Sequence, residues 1–503
     1  MKKFTISVLM IISLFIYNTS RSNYSTPGTG RNWTLDSLIA YSSGAVVDSM
    51  GIILIKDSIT ISQCDTLKIF NNKTIKIGYS LLIYVAGVLK INPPDSVKMT
   101  AIDTSLKYYG IKLDSLSDAS VFKKLIFERG NAISLIDCDM TIDSCTIRNN
   151  PYISGQRRGA IYLFRSNPII SHCKIYRNGN AAIQSGANIA SSPTIIDNLI
   201  YENDVENGNY PQINLGAAGS SPVIIRNNII RGLYPMSGGI SFLPAGSVPL
   251  VIIENNIIKK NRYGIAMQGS NINACINNNI IDSNNIQGLP LLGGSGINFI
   301  GGATNVAIVT RNIIRWNLWG ITIQTNARPD IGNINNSDTS DNGYNRIYYN
   351  SHNDTTFDLY NNTPDSIKAQ NNYWGTTNLD SIAAHIFGHH NNPALGVVDY
   401  LPIWTLTSIN NNYEIIKDFR LFEAYPNPFN PVTNIKFQIP ANEFVKLEVF
   451  DISGKIVDVL INGNLNAGTY EAKWNAETFS SGIYFYRLTV KNYSDTKKII
   501  LLK

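Results

Sequence analysis

Side chains that usually carry chemistry are scarce in this chain. Charged residues make up 16% of its 503 residues, and there are 5 histidines and 5 cysteines. An odd number of cysteines excludes a fully paired disulfide framework. Three of the histidines, His385, His389 and His390, lie close in sequence. Gly388 interrupts the helix that would bring the first two onto one face, and no acid or cysteine completes the set locally, so no metal is expected there. The formal net charge is +6, with Lys and Arg scattered and only short pairs such as Arg157 and Arg158 or Lys259 and Lys260. With no basic face, nucleic acid is not an expected partner. Long apolar runs are missing too, apart from Phe4 to Tyr17 behind two lysines. That run is too short to span a bilayer comfortably and reads as a secretory signal over residues 1–20. No cysteine closely follows it, so a lipid anchor is not expected.

What the chain has in abundance is a repeat. From about Gly130 to Ile323 one pattern returns every 23 to 33 residues, with an apolar anchor at Ile147, Ile175, Ile200, Ile230, Ile258, Ile281 and Ile314. Five residues before each stands another, at Ile142, Ile170, Ile195, Ile225, Ile253, Ile276 and Val309. After each turn comes a small-residue or Gly step and a short alternating strand whose shared isoleucine is Ile161, Ile183, Ile213, Ile240, Ile265, Ile297 or Ile321. Three β-branched columns with period-two alternation, and no helix-length periodic run between them, imply three short strands per coil. Successive coils then pair edge to edge at roughly 4.8 Å, and like stacks on like. The predicted fold class is all-β, a parallel β-solenoid.

Asparagines mark the corners. One row stands two residues before the anchor, at Asn198, Asn228, Asn256, Asn279 and Asn312; the other three after it, at Asn150, Asn178, Asn203, Asn261, Asn284 and Asn317. Asn tolerates the left-handed conformation of a sharp corner and can bond the equivalent amide one coil away, so both rows are expected to be structural ladders. Cys145 and Cys173 occupy one ladder position in adjacent coils. Coil spacing permits a disulfide, but parallel Cβ directions would strain it, and two buried thiols in place of ladder asparagines are expected.

The repeat resembles the right-handed parallel β-helix superfamily, which contains pectate-lyase-like and polygalacturonase-like enzymes, alginate and chondroitin lyases, and many non-catalytic surface proteins. The resemblance implies the hand of the coil, which periodicity alone does not. Trp33 to about Ala101 resembles the opening coils of such proteins, with a Val85, Gly87, Leu89 turn and then Tyr109, Gly110 and Ile111 at the first regular step. The run Gln370 to Gly375, QNNYWG, resembles the last coil, and residues 378–404 are expected to form a short helical turn and a capping tail.

From Phe419 the composition changes. YPNPFNP (Tyr425 to Pro431), IKFQIP, VKLEVFDISGKIV, GTYEAKW, SGIYFYRLTV and KKIILLK read as six or seven strands of a small C-terminal β-sandwich. The run resembles the type A sorting domain of the bacterial type IX secretion system, through Pro426, Asn427, Pro428 and Phe429, the Asp451, Ser453, Gly454 turn, Gly482 and Tyr484. That resemblance implies transport across the outer membrane, then surface attachment or release, with the secretion machinery as partner through residues 419–503. The expected organisation is a signal at 1–20, the β-helix over 21–410, a linker over 411–418 and the sorting domain over 419–503, in a monomer.

In the enzymes of this superfamily, substrate lies along one outward strand face. Side chains one after each buried isoleucine of the first strand point outward, namely Tyr162, Gln184, Asn214, Ser241, Ala266, Asn298 and Thr322, extended by Gln268 and Gln324. The row is polar and free of carboxylates. Glycoside hydrolysis needs two carboxylates at a set separation, and a metal-assisted lyase needs oxygen ligands and a base. Between Gly159 and Pro329 the acids are only Asp197, Glu202, Asp204, Glu206, Glu254 and Asp282. Two clusters remain to be weighed. Glu202, Asp204 and Glu206 could bind Ca²⁺, against the plainer reading of a solvated acidic loop; no other cofactor is expected. Arg157, Arg158 and Arg165 flank Tyr162 and could neutralise a uronate while Tyr162 serves as base, with Glu202 as the third catalytic candidate. The expectation is an exported, surface-displayed β-helix with an adhesive, structural or glycan-binding role, Tyr162, Gln184, Asn214, Ser241, Gln268, Asn298, Thr322 and Gln324 forming the ligand row. The alternative is a polysaccharide lyase or glycoside hydrolase acting along the same face.

Overall fold

A computed structural model describes residues 23–151, 159–217, 219–244, 248–290, 295–405, 419–440, 443–465, 468–491 and 493–503. The expected signal, the linker, Arg157 and Arg158 lie outside these residues. Two compact units divide the chain, one ending at Leu406 and the other beginning at Thr407.

The first unit is a coil of three sheets, with 14, 13 and 11 strands among the described residues, parallel except where Val46–Ser49 runs antiparallel to Ile52–Ile55, and each regular turn of the chain adds one strand to each sheet. The three isoleucine columns stack as the repeat predicts. In the first sheet Ile161 pairs with Ile183, then Ile213, Ile240, Ile265, Ile297 and Ile321. In the second, Ile142 leads through Ile170 and Ile195 to Ile276 and Val309, and in the third Ile147 leads to Ile314 and on to Ile347. These column side chains are fully buried, each worth roughly 1.5–3 kcal/mol, so one continuous core runs the length of the unit.

Both ends are closed against edge pairing, the hazard of any open sheet. At the start, a helix over Leu35–Tyr41 that the sequence reading did not anticipate begins at a capping box between Thr34 and Ser37 and buries Leu35 and Leu38. At the far end Trp374 is buried, and Tyr400 and Ile403 pack against the same core, beyond a short helix over Leu379–Ala384.

The asparagine ladders form, with one correction. Asn198, Asn228, Asn256 and Asn279 each donate from Nδ2 to the next ladder oxygen at 3.0 Å, and Asn312 continues to Asn345 at 3.0 Å and Asn345 to Asn372 at 2.9 Å. The second row runs from Asn150 to Asn178 and Asn203, passes to Gln212 Oε1 at 2.8 Å, and resumes from Asn261 through Asn284 and Asn317 to Asn350. The left-handed residue of each corner is not the ladder asparagine but the one before it. Asp197, Asn227, Asn255, Asn278 and Arg311 have φ between 54° and 58°. The chain reverses at that exposed residue, which turns the next side chain inward to bond along the axis. Cys145 and Cys173 are free thiols at the start of the first ladder, where Cys173 N–H donates to Asn198 Oδ1 at 2.8 Å and Cys145 N–H points to Cys173 Sγ at 3.4 Å.

Among the described residues the second unit is a sandwich of seven strands. One sheet joins Arg420–Leu421, Val432–Ile439 and Gly468–Asn475; the other joins Ile456–Leu465, Glu443–Phe450, Gly482–Val490 and Tyr493–Leu501. All neighbours are antiparallel. Phe437, Leu447, Trp474, Tyr486 and Ile499 fill its separate core.

Candidate functional site

The outward face of the first sheet is one column in register. Tyr84, Lys112, Ser134, Tyr162, Gln184 and Asn214 follow one another coil by coil. Ser241, Ala266, Asn298, Thr322, Tyr360 and Phe387 continue it to the end of the coil. Tyr162, Gln184 and Asn214 are half-buried, with Gln184 Oε1 itself shielded from solvent.

The expectation of an open row fails beyond Asn214. Ser241, Asn298 and Thr322 are buried, at 3%, 2% and 0% exposure. Loops entering the first sheet stack beside it and cover this part of the row. Tyr263 lies so close over Gly238 that a Cβ there would meet its ring at 2.2 Å, and its hydroxyl bonds Ser241. Ser295 Oγ reaches Thr322 Oγ1 at 2.5 Å. Sequence alternation gives the direction of a side chain from its strand but not what later folds over it. Gln268 and Gln324 are half-buried, and Ile300 stands between them in register, so they do not adjoin.

The sequence reading missed an aromatic end to the row. Trp319 stacks on Tyr360 with centroids 4.3 Å apart, Tyr360 on Phe387 at 4.3 Å, and Phe357 packs edge-on against Trp319 at 5.2 Å. Tyr360 and Phe387 lie in coils that lack the Gly-Ile step, so a search for that step stops at Ile321.

The catalytic candidates do not come together. Arg165 follows the first-sheet strand Ile161–Phe164 and is bound by Asp137 one coil away, at 2.5 and 2.6 Å. Glu202 sits in the corner after the third-sheet strand Leu199–Tyr201, held by Arg177 at 2.9 Å and by Arg231. Among the described residues, Arg165 and Glu202 are thus matched away from Tyr162. Asp204 is buried and accepts from Gly208 N–H at 2.8 Å and Tyr210 N–H at 3.0 Å, while Glu206 is exposed. The three acids therefore do not share a centre, and among the described residues no three His, Cys, Asp or Glu side chains converge as metal ligands. His385 Nδ1 meets Asp358 Oδ2 at 3.2 Å and His389 Nδ1 meets the Leu395 carbonyl at 2.9 Å, so these two rings serve separate contacts.

Burial pushes the Asp204 carboxyl up to about 6. A raised acid favours the folded state while it holds its proton, so its contribution is full below about pH 4 and lost as pH rises through about 6. Thermal melts from pH 4 to 8 are expected to show Asp204→Asn falling less than wild type across that window; parallel curves would refute the assignment.

Residues 57–240 and 198–304 match the right handed β-helix region family, and residues 423–502 match the secretion system C-terminal sorting domain. No curated protein matches the sequence. The enzymatically active domain of bacteriophage CBA120 tailspike protein 2 aligns over 86% of this chain and 72% of its own at 9% identity and a TM-score of 0.30, too slight a likeness to bear on function. The stacked parallel sheets and the match to the right handed β-helix region together define a right-handed parallel β-helix. The chain carries a right-handed β-helix and a type IX secretion sorting domain, and it is an exported protein of the cell surface or the medium.

Proposed function

We propose that the β-helix is a non-catalytic surface module that binds a neutral polysaccharide along the outward face of the first sheet. The carrying observation is the half-buried stretch Tyr162, Gln184 and Asn214, three polar side chains in adjacent coils, one strand spacing of roughly 4.8 Å apart, beside which the described charges Arg165 and Glu202 are already paired. A repeating array of hydroxyl and amide groups suits the repeating hydroxyls of a glycan chain, each bond weak and the sum additive along the chain. The lyase or hydrolase reading draws no support from the placement of Tyr162, Arg165 and Glu202.

The test is affinity electrophoresis of the intact protein through neutral and uronate-containing polysaccharides, with product length followed in parallel. Retardation by a neutral glycan without cleavage is expected, and Gln184→Ala with Asn214→Ala should weaken it about tenfold, the loss of two hydrogen bonds. Cleavage of any polysaccharide, or retardation unchanged in the double variant, would overturn the reading.

A further inference from the structure

A second feature lies in the C-terminal sandwich, on the outward face of its four-stranded sheet. Where an antiparallel sheet has one face on the core, the alternate side chains that meet water are expected to be polar. Half of this face obeys. Lys446 and Glu448 pair at 2.7 Å on the strand Glu443–Phe450, with Arg487, Thr489, Ser494 and Thr496 beside them in register.

The other half does not. Ile456, Phe450 and Phe485 lie opposite one another across three strands, and Ile483 lies opposite Ile500. Phe450, Ile483, Phe485 and Ile500 alternate with Val449, Tyr484 and Ile499, which are buried in the core, so they leave the sheet on its outer side. Phe450 is roofed by the Arg487 guanidinium, 4.7 Å above its ring. Its neighbours are open: Ile456 is 46% exposed, Ile483 40%, Ile452 in the turn after Phe450 76%, and Leu502 past the last strand 54%. Strand propensity accounts for an isoleucine inside a strand. It does not account for Ile452 or Leu502, which lie outside any strand, and the core is filled without them. An apolar patch rimmed by polar residues is the usual form of a protein-binding surface.

We propose that this apolar end of the four-stranded sheet is the surface by which a protein of the secretion machinery holds the sorting domain. The occupant follows from where the patch lies: every one of its residues falls within the stretch 423–502 that matches the sorting domain. The exposed Lys455 precedes Ile456, and the exposed Lys498 lies opposite Phe485, so the partner is expected to offer an apolar surface with carboxylates at its rim. The YPNPFNP run acts here as a positioning element, because Asn427 Oδ1 accepts from Ile500 N–H at 3.0 Å and fixes that edge of the patch. The surface is independent of the glycan-binding face.

The experiment uses the full chain in a cell with a type IX system, combining Ile452→Ser, Ile456→Thr and Ile483→Thr; threonine keeps the β-branch that strands favour. Limited proteolysis of the purified variant should leave the sandwich as intact as in wild type. The amount outside the cell should fall at least about tenfold, with the chain held in the envelope. Asn462→Ser with Ser494→Thr, on the polar half of the sheet, should be exported as wild type. If the triple variant loses protease resistance, Ile452→Ser alone decides, since it changes only an exposed turn, and it should lower export about threefold or more. Wild-type export of the patch variants, while a chain lacking residues 493–503 is retained, would place recognition elsewhere on the sandwich and overturn the proposal. Sedimentation of the purified protein should show a monomer with and without the substitutions; a wild-type dimer that they abolish would assign the patch to a second copy of the chain instead.

Discussion

Asn256→Ala is expected to destabilise the β-helix by roughly 3–5 kcal/mol, while Asn255→Gly, one residue earlier, should leave stability within about 0.5 kcal/mol. The two asparagines are adjacent and chemically identical, yet their work differs. Asn256 is fully buried. Its Nδ2 donates to the Ile225 and Glu254 carbonyls and to Asn279 Oδ1, and its Oδ1 accepts from the Asn228 backbone and side chain, all between 2.9 and 3.0 Å. Alanine strands at least two of these partners away from water, each at roughly 1–3 kcal/mol. Asn255 is exposed with φ 58°, a conformation glycine adopts without strain, and the greater freedom glycine gives the unfolded chain offsets that gain. Urea unfolding of both variants separates the roles, and equal losses at the two positions would refute the division.

Removing the last strand should have the largest effect on where the protein goes. A chain ending at residue 492 is expected to fail to reach the cell surface or medium, as completely as one lacking residues 419–503. Tyr493–Leu501 pairs along its whole length with Gly482–Val490 and buries Ile499 and Leu501 in the sandwich core. It also fastens the YPNPFNP run. Ile500 N–H donates to Asn427 Oδ1 at 3.0 Å, Asn427 Nδ2 donates to the Lys498 carbonyl at 3.1 Å, and Phe429 N–H donates to the Ile500 carbonyl at 2.9 Å. Phe429 packs on Trp474 with centroids 5.3 Å apart. Without the strand both the core and the motif lose their support. The β-helix has its own core, so the shortened chain should remain protease-resistant inside the cell envelope. Fractionation with a protease ladder reads both, and wild-type amounts of the shortened chain outside the cell would show that the sandwich is not what the export machinery recognises.

The repeat was legible because a solenoid is built from nearest neighbours. Each coil meets only the next, so residues that recur at one phase must stack, and the three isoleucine columns and both asparagine rows could be placed without knowing anything else. The same logic identified Cys145 and Cys173 as ladder positions. It erred on which asparagine turns the corner, since Asn227 and Asn228, or Asn255 and Asn256, look alike in sequence and only the backbone tells the left-handed residue from the inward one.

The candidate site was legible only in part, for a reason that is also physical. Alternation along a strand determined that Tyr162 through Thr322 leave the sheet on its outer side. Whether they meet solvent depended on loops of irregular length, such as the one carrying Tyr263, whose course has no period to read. Charge partners were likewise decided by stacking between coils, where Arg165 found Asp137 and Glu202 found Arg177 and Arg231 across 25 to 29 residues of chain. The aromatic end at Trp319, Tyr360 and Phe387 came into view only in three dimensions. Periodic hydrophobicity by itself determined the coil and its columns, because burial of like upon like is a local, repeating choice. The tertiary structure decided which polar groups stay reachable, matched or buried, because those depend on single contacts that do not repeat.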